Sequence, residues 1–249
     1  MSKTLVITGG SKGLGWAIAR RFLNSDWFVV SGSRTIRKVS DHDFGSKFFQ
    51  AEIDVRSRTS HQFLVQKALE RTGQVDCFVN NAGFSEWKAI GEIDQEFLTE
   101  IIETNLIGYF WGAQAAAGVM KSGSSLINIS SIAAKRGTSN NSAYVATKFG
   151  VAGLTQSLCK ELGSKGIRVN AVCPVLVSTP GLLKALESVD SPAKGDPLDF
   201  LTSFASTQTA LGRLPTEQEV SNLVYFLASD QATGITGQSI NVDCGVLPN

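Results

Sequence analysis

The sequence predicts an α/β fold, a doubly wound parallel sheet with helices on both faces. Three observations carry this. Short β-branched apolar runs alternate with longer stretches of helical periodicity along the whole chain, the order that a parallel sheet with crossover helices requires. The runs are continuously apolar, as strands covered on both faces must be. The chain has 249 residues, 43% of them hydrophobic and 18% charged, with no linker, repeat or low-complexity tract. That suits one large core, so a single domain over 1–249 is expected.

The elements follow in order. "TLVITG" (4–9) reads as the first strand and "GLGWAIARRFLNS" as the first helix. "WFVVSGS" (27–33) and "FFQAEIDV" (48–55) are the second and third strands, followed by the helix "HQFLVQKALERTG". "VDCFVNNAG" (75–83) is the fourth strand; one long helix is expected through "FLTEIIETNLIGYFWGAQAAAGVM". "SSLINISS" (124–131) is the fifth strand, "AYVATKFGVAGLTQSLCKEL" the next helix and "IRVNAVCP" (167–174) the sixth strand. The helix "EQEVSNLVYFLAS" and the strand "SINVDC" (239–244) close the pattern. Segment 178–212, with Pro180, Pro192 and Pro197, is long for a connection. Such segments are commonly functional lids, and one or two short helices are expected in it.

A net charge of +1 gives no support to a nucleic-acid or anionic-membrane partner. The longest uncharged stretch, Thr104–Met120, is too short to span a bilayer and carries Asn105 and Gln114. The apolar run of the N-terminus is too short for a signal peptide. Cys77, Cys159, Cys173 and Cys244 match no metal or redox spacing. Buried free thiols in a reducing, cytoplasmic setting are expected, and no metal.

"VITGGSKGLGWAIA" sets Gly9, Gly13 and Gly15 between the first strand and the first helix. Such glycines permit a tight turn and a close approach of backbone to pyrophosphate, which the free N–H groups of the helix N-terminus then meet. An NAD site places a carboxylate about twenty residues on, for the ribose 2′-hydroxyl. Here the second strand ends "SGSRT", with Ser33 and Arg34 and no acid. A guanidinium binds a 2′-phosphate bidentately, and Lys12 adds a cation, so NADP(H) is expected over NAD(H). Asp54 could accept from an adenine amino group.

In "SAYVATKFG", Tyr144 and Lys148 stand one helical turn apart on one face. A tyrosine near pKa 10 is a poor proton-transfer group at neutral pH, and a neighbouring ammonium lowers it. Ser131 ends the fifth strand, at the sheet edge that borders the ligand crevice. There its hydroxyl can bond a carbonyl oxygen on which charge develops.

With these residues placed, "TGGSKGLG", "NNAG" (80–83), "TNLIG" (104–108), "NISS" (128–131), "YVATK" and "ITGQSINVD" together make the chain resemble the short-chain dehydrogenases/reductases over nearly its whole length. The resemblance implies a Rossmann-type sheet of seven strands and hydride transfer at nicotinamide C4. It makes Tyr144 the general acid or base, Lys148 the ribose ligand that tunes it, and Ser131 the group that positions the carbonyl. Asn105 would hold a water linking Lys148 to solvent. Cofactor contacts are implied for Gly9, Ser11, Lys12, Gly13, Leu14, Gly15, Ser33, Arg34, Asp54, Val55, Asn81, Ala82, Gly83, Pro174, Val177 and Thr179, besides Tyr144 and Lys148. A homotetramer, or a dimer, through the 104–120 and 144–162 helices is implied too.

Two departures stand out. Val175 replaces the glycine that usually follows the proline after the sixth strand, and a β-branched residue takes positive φ only at a cost. Cys244 replaces a glycine of the terminal motif, where a packing effect alone is expected.

Phe84, Trp87, Ile132, Asn141, Val175 and Leu176 are the candidate substrate pocket, with Leu182, Leu183, Phe200 and Phe204 from the lid. Most are apolar, which suggests a ketone or alcohol with a hydrophobic body. Arg136 could pair with an acidic group. One alternative is a 3-oxoacyl-(acyl-carrier-protein) reductase, whose acidic carrier would need a basic surface such as Lys121, Lys160, Lys165 and Arg168. An alternative of another class is a non-catalytic NADP(H) sensor on the same fold.

Overall fold

The computed structural model describes residues 2–38 and 44–248. Seven strands, β1 (Thr4–Thr8), β2 (Phe28–Ser33), β3 (Phe48–Glu52), β4 (Cys77–Asn80), β5 (Ser125–Ile129), β6 (Arg168–Pro174) and β7 (Ser239–Val242), form one sheet in the order β3-β2-β1-β4-β5-β6-β7. Every pairing is parallel. The chain leaves β1 toward β2 on one side and returns to β4 on the other. That reversal opens a crevice beyond the C-terminal ends of β1 and β4, where ligands bind in such sheets.

The main helices are α1 (Gly13–Leu23), α2 (Arg58–Thr72), α3 (Gln95–Ile102), α4 (Gly108–Ala117), α5 (Ser142–Gly163), α6 (Pro180–Leu186), α7 (Pro197–Gln208) and α8 (Glu217–Ala228). Successive side chains of a strand face opposite sides. Leu5 and Ile7 of β1 therefore join the core under α1 and α8, with Phe22, Val220 and Leu227. Val6 joins the core under α2 and α4, with Leu64, Phe78 and Ala113. Each fully buried large side chain contributes about 1.5–3 kcal/mol of transfer free energy.

Three sequence expectations change. The strands expected over 48–55, 75–83 and 124–131 stop at Glu52, Asn80 and Ile129. Their last residues leave the ladder and line the crevice. The helix expected to run unbroken through 97–120 contains a π-helical turn at Glu103–Ile107, where the Gly108 N–H reaches back five residues to Glu103 O. Such insertions are frequent at functional sites. Cys244 has φ +53, a left-handed backbone that disfavours any side chain, so its effect goes beyond packing. Val175, by contrast, avoids positive φ and extends the β6–β7 pairing, its N–H donating to Val242 O at 3.2 Å. Segment 178–212 holds α6 and α7, as expected.

Candidate active site

The crevice is a cleft of ≈ 1810 Å³ along the C-terminal edge of the sheet. One end is built from backbone. Gly9 has φ +71, and a Cβ on Gly15 would lie 2.1 Å from Gly9 O, so the β1–α1 turn closes only with glycine there. Asn81 clamps this turn from β4, its Nδ2 donating to Thr8 O at 2.9 Å and Gly9 O at 3.2 Å. Thr8 Oγ1 in return accepts from the N–H groups of Asn81 and Ala82. No side chain caps α1, so its first-turn N–H groups remain available to an anion.

Lys12, Ser33, Arg34 and Thr35 line the same end of the cleft. Ser33 Oγ is buried with no partner among the described residues. Arg34 is 73% exposed, with Glu100 Oε1 at 3.9 Å, so its guanidinium is largely free. Asp54 is held by Arg56, whose Nε donates to Oδ1 at 3.1 Å and to Oδ2 at 2.9 Å. Those bonds hold the Asp54 carboxyl below its ordinary pKa despite partial burial. Arg56 lines the cleft as well, and sequence reasoning missed it, because a loop arginine after "DV" carries no signal until its partner is seen. The free amides, the cations and the unpartnered hydroxyl fit a nicotinamide dinucleotide.

The other end holds the reactive groups. Ser131, Tyr144 and Lys148 all line the cleft. Ser131 leaves the tip of β5 with its Oγ accepting from the Ala133 N–H at 3.1 Å. Lys148 is 4% exposed, and its Nζ donates to Ile129 O at 3.0 Å. The ammonium lies over the rings of Tyr109 and Tyr144, 5.3 and 5.5 Å from their centroids. Tyr109 Oη also donates to Ile129 O, at 2.8 Å, so one carbonyl anchors both side chains.

This geometry corrects the expected tuning. Burial pushes the Tyr144 phenol up to about 12, and the Ser131 hydroxyl opposes that shift. Burial also brings Lys148 down to about 8. Lys148 faces the tyrosine rings and a carbonyl, so desolvation dominates over its attraction for a phenolate.

Of the expected catalytic, cofactor and pocket residues, Asn105 and Leu183 do not line the cleft. The Asn105 amide pairs with the backbone of Phe84, accepting from the Phe84 N–H at 3.0 Å and donating to Phe84 O at 2.7 Å. It fixes the loop after β4 from behind. The remaining cofactor residues named from the sequence line the cleft, as do Phe84, Trp87, Ile132, Asn141, Val175 and Leu176. Thr179 Oγ1 caps α6 by accepting from the Leu182 N–H at 3.2 Å. Arg136 lines the cleft with its Nε buried and unpartnered among the described residues.

The family model described as enoyl-(acyl carrier protein) reductase matches residues 9–247. The chain is a short-chain dehydrogenase/reductase. Among its relatives, the L-2,3-butanediol dehydrogenase of Corynebacterium glutamicum is 35% identical, with 100% of each chain covered. The (S)-acetoin-forming diacetyl reductase of Staphylococcus epidermidis is 37% identical, with 99% of each covered. Among solved structures, an actinorhodin polyketide ketoreductase with NADPH matches at a TM-score of 0.87 and 30% identity, over 98% of this chain and 97% of that one. The protein is an oxidoreductase that acts on C=O and CH–OH groups.

The acyl-carrier alternative loses the surface offered for it. Arg168 is buried, donating to Ser229 O at 3.3 Å and Ile235 O at 3.4 Å. Lys121 and Lys165 precede β5 and β6, and Lys160 sits near the C-terminus of α5. All three therefore stand at the N-terminal edge of the sheet, opposite the cleft.

Proposed function

We propose that this short-chain dehydrogenase/reductase is an NADP(H)-dependent ketone reductase, working in reverse as a secondary alcohol dehydrogenase. The observation that carries this reading is the meeting of Ser131, Tyr144 and Lys148 in one cleft with the uncapped α1 N-terminus. When bound, the nicotinamide supplies hydride to the carbonyl carbon. Ser131 Oγ donates to the carbonyl oxygen and holds it beside the Tyr144 phenol. Tyr144, kept protonated by burial, gives its proton to that oxygen as charge develops on it. Lys148 spends one donor on Ile129 O, and its other two would hold the ribose hydroxyls of the cofactor. Asn105 acts through Phe84 as a positioning residue.

Arg34 and Ser33, with Lys12, favour a 2′-phosphate and hence NADP(H). The apolar walls at Phe84, Ile132, Val175 and Leu176 favour a small ketone, the chemistry in the names of the butanediol and diacetyl relatives. Segment 178–212 serves as the lid. Phe110 of α4 and Phe149 of α5 are 49% and 47% exposed, which supports a homo-oligomer through these helices. Four free thiols fit a reducing cytoplasm. Among the described residues no helix is long and apolar enough to cross a membrane.

The test is NADPH oxidation against a panel of small ketones. Ketone-dependent consumption is expected. Tight NADPH binding without turnover of any carbonyl would replace this reading with a sensor.

A further inference from the structure

Lys148 is a buried cation without an anion. Among the described residues it pairs with no carboxylate. A charge taken out of water is costly unless other groups replace the water. Here the replacements are one carbonyl and two aromatic rings. Ile129 O accepts from Nζ at 3.0 Å, and the ring centroids of Tyr109 and Tyr144 lie 5.3 and 5.5 Å from it. Tyr144 serves the proton transfer. Tyr109 does not line the cleft and touches neither substrate nor cofactor.

Everything that places Tyr109 is fixed. It is fully buried, the second residue of α4, just after the π-helical turn at Glu103–Ile107. The residue that a π turn adds rotates the helix beyond it by about 100°. Tyr109 packs there against α5, with Val151 and Leu154. Its carbonyl accepts from Asn80 Nδ2 at 3.2 Å. Asn80 Nδ2 also donates to Asn128 Oδ1 at 3.0 Å, and Asn128 Nδ2 to Thr155 Oγ1 at 2.9 Å. This buried chain ties α4 through β4 and β5 to α5, so ring and ammonium keep their spacing. Tyr109 Oη takes one lone pair of Ile129 O, at 2.8 Å, and leaves the other to Lys148.

The face of an aromatic ring is negative and attracts a cation within about 6 Å, most strongly where water is excluded. The surroundings add no competing charge. Burial pushes the Tyr109 phenol up, the Tyr144 phenol up to about 12 and the Cys173 thiol of β6 up. Gly83, in the loop after β4, brings only backbone near Nζ. All these neighbours are neutral over the range in which Lys148 titrates, near pH 8.

We infer that Tyr109 is a positioning residue for Lys148: its ring face keeps the buried ammonium charged, and its hydroxyl fixes the carbonyl from which that ammonium hangs. The inference rests on Lys148 holding the ribose hydroxyls, as proposed above. Loss of the ring then weakens NADPH binding at high pH and spares it at low pH, where the ammonium is charged regardless.

The experiment measures NADPH affinity of the full-length protein by fluorescence titration from about pH 6.5 to 9.5, between the ranges of the 2′-phosphate and of ordinary lysines. The wild type should lose affinity with a midpoint near 8, and Lys148→Met should show no such midpoint. In Tyr109→Leu the midpoint falls by about one pH unit. Tyr109→Phe keeps the ring and leaves the midpoint in place. A ring-fluorinated phenylalanine installed in place of Tyr109 keeps the shape and strips the face of its negative charge. Its midpoint falls as in the leucine variant, which decides the matter if that variant does not fold. A midpoint that moves equally in Tyr109→Phe and Tyr109→Leu, or that ignores fluorination, would overturn the role of Tyr109 and leave the ketone-reductase reading standing. So would an equal loss of affinity at every pH. A wild-type affinity that is constant over the whole range removes the ribose role of Lys148 and this inference together.

Discussion

The two ends of the cleft are built by different means. The cofactor end is made of backbone at the tips of β1, β4 and β5, pinned by Thr8, Asn81 and close-fitting glycines. The substrate end is made of three loops held to one another by side chains, through Ser188, Asp190 and Asn140. Backbone held in a sheet leaves little room for change. A side-chain clasp between loops lets pocket shape vary while the sheet stays as it is. The chemistry sits where the two constructions meet, on α5.

If the meeting point carries the reaction, Tyr144→Phe has the largest effect. It removes the proton donor and should lower kcat about 10²–10⁴-fold while NADPH affinity, read by fluorescence titration, stays nearly constant. Retained turnover would break the assignment.

Lys148→Met should also abolish most turnover, yet raise stability. Burial brings the folded pKa of Lys148 down to about 8, below the ordinary lysine value of 10.5. The unfolded chain therefore holds the proton more tightly, and burying the charge costs stability. That cost is fully present below pH 8 and fades as pH rises from 8 toward 10.5. The unfolding free energy at pH 7 should be higher for the variant by on the order of 1–3 kcal/mol, with the gain shrinking toward pH 10. A loss of stability at pH 7 would contradict this account of the site.

Arg34→Asp acts on the cofactor end alone. It exchanges an attractive guanidinium for a repulsive carboxylate and should shift the NADPH-to-NADH ratio of kcat/KM by about ten- to a hundredfold. Ketone preference should not move.

Asp190→Ala acts on the substrate end alone. It frees the Ala89 N–H and loosens the clasp, a loss of about 1 kcal/mol. KM for the ketone should rise severalfold and proteolysis within 178–212 should quicken, with NADPH affinity unchanged. Asp190→Asn, which keeps an acceptor, should restore both.

The same contrast explains what could be read from the sequence. Glycines at fixed spacing, strand runs and the Tyr144–Lys148 turn are local signals of backbone geometry, so the sheet and the cofactor end were legible. The π-helical turn at Glu103–Ile107 was hidden because its residues fit an ordinary helix. The pairing of Asn105 with Phe84, of Arg56 with Asp54 and of Asp190 with Ala89 depends on loops meeting in space. Arg168 looked like a surface cation and is buried, because strand residues are sorted by face and depth and charge alone does not reveal either.

The central claim is a direct hydride transfer from NADPH to a ketone in this cleft. The wild type would be given NADPH carrying deuterium at the transferring C4 position, with 3-hydroxy-2-butanone, and the alcohol analysed by mass spectrometry. One deuterium on the new carbinol carbon is the predicted result. Cofactor consumption with no deuterium in the alcohol would contradict the account.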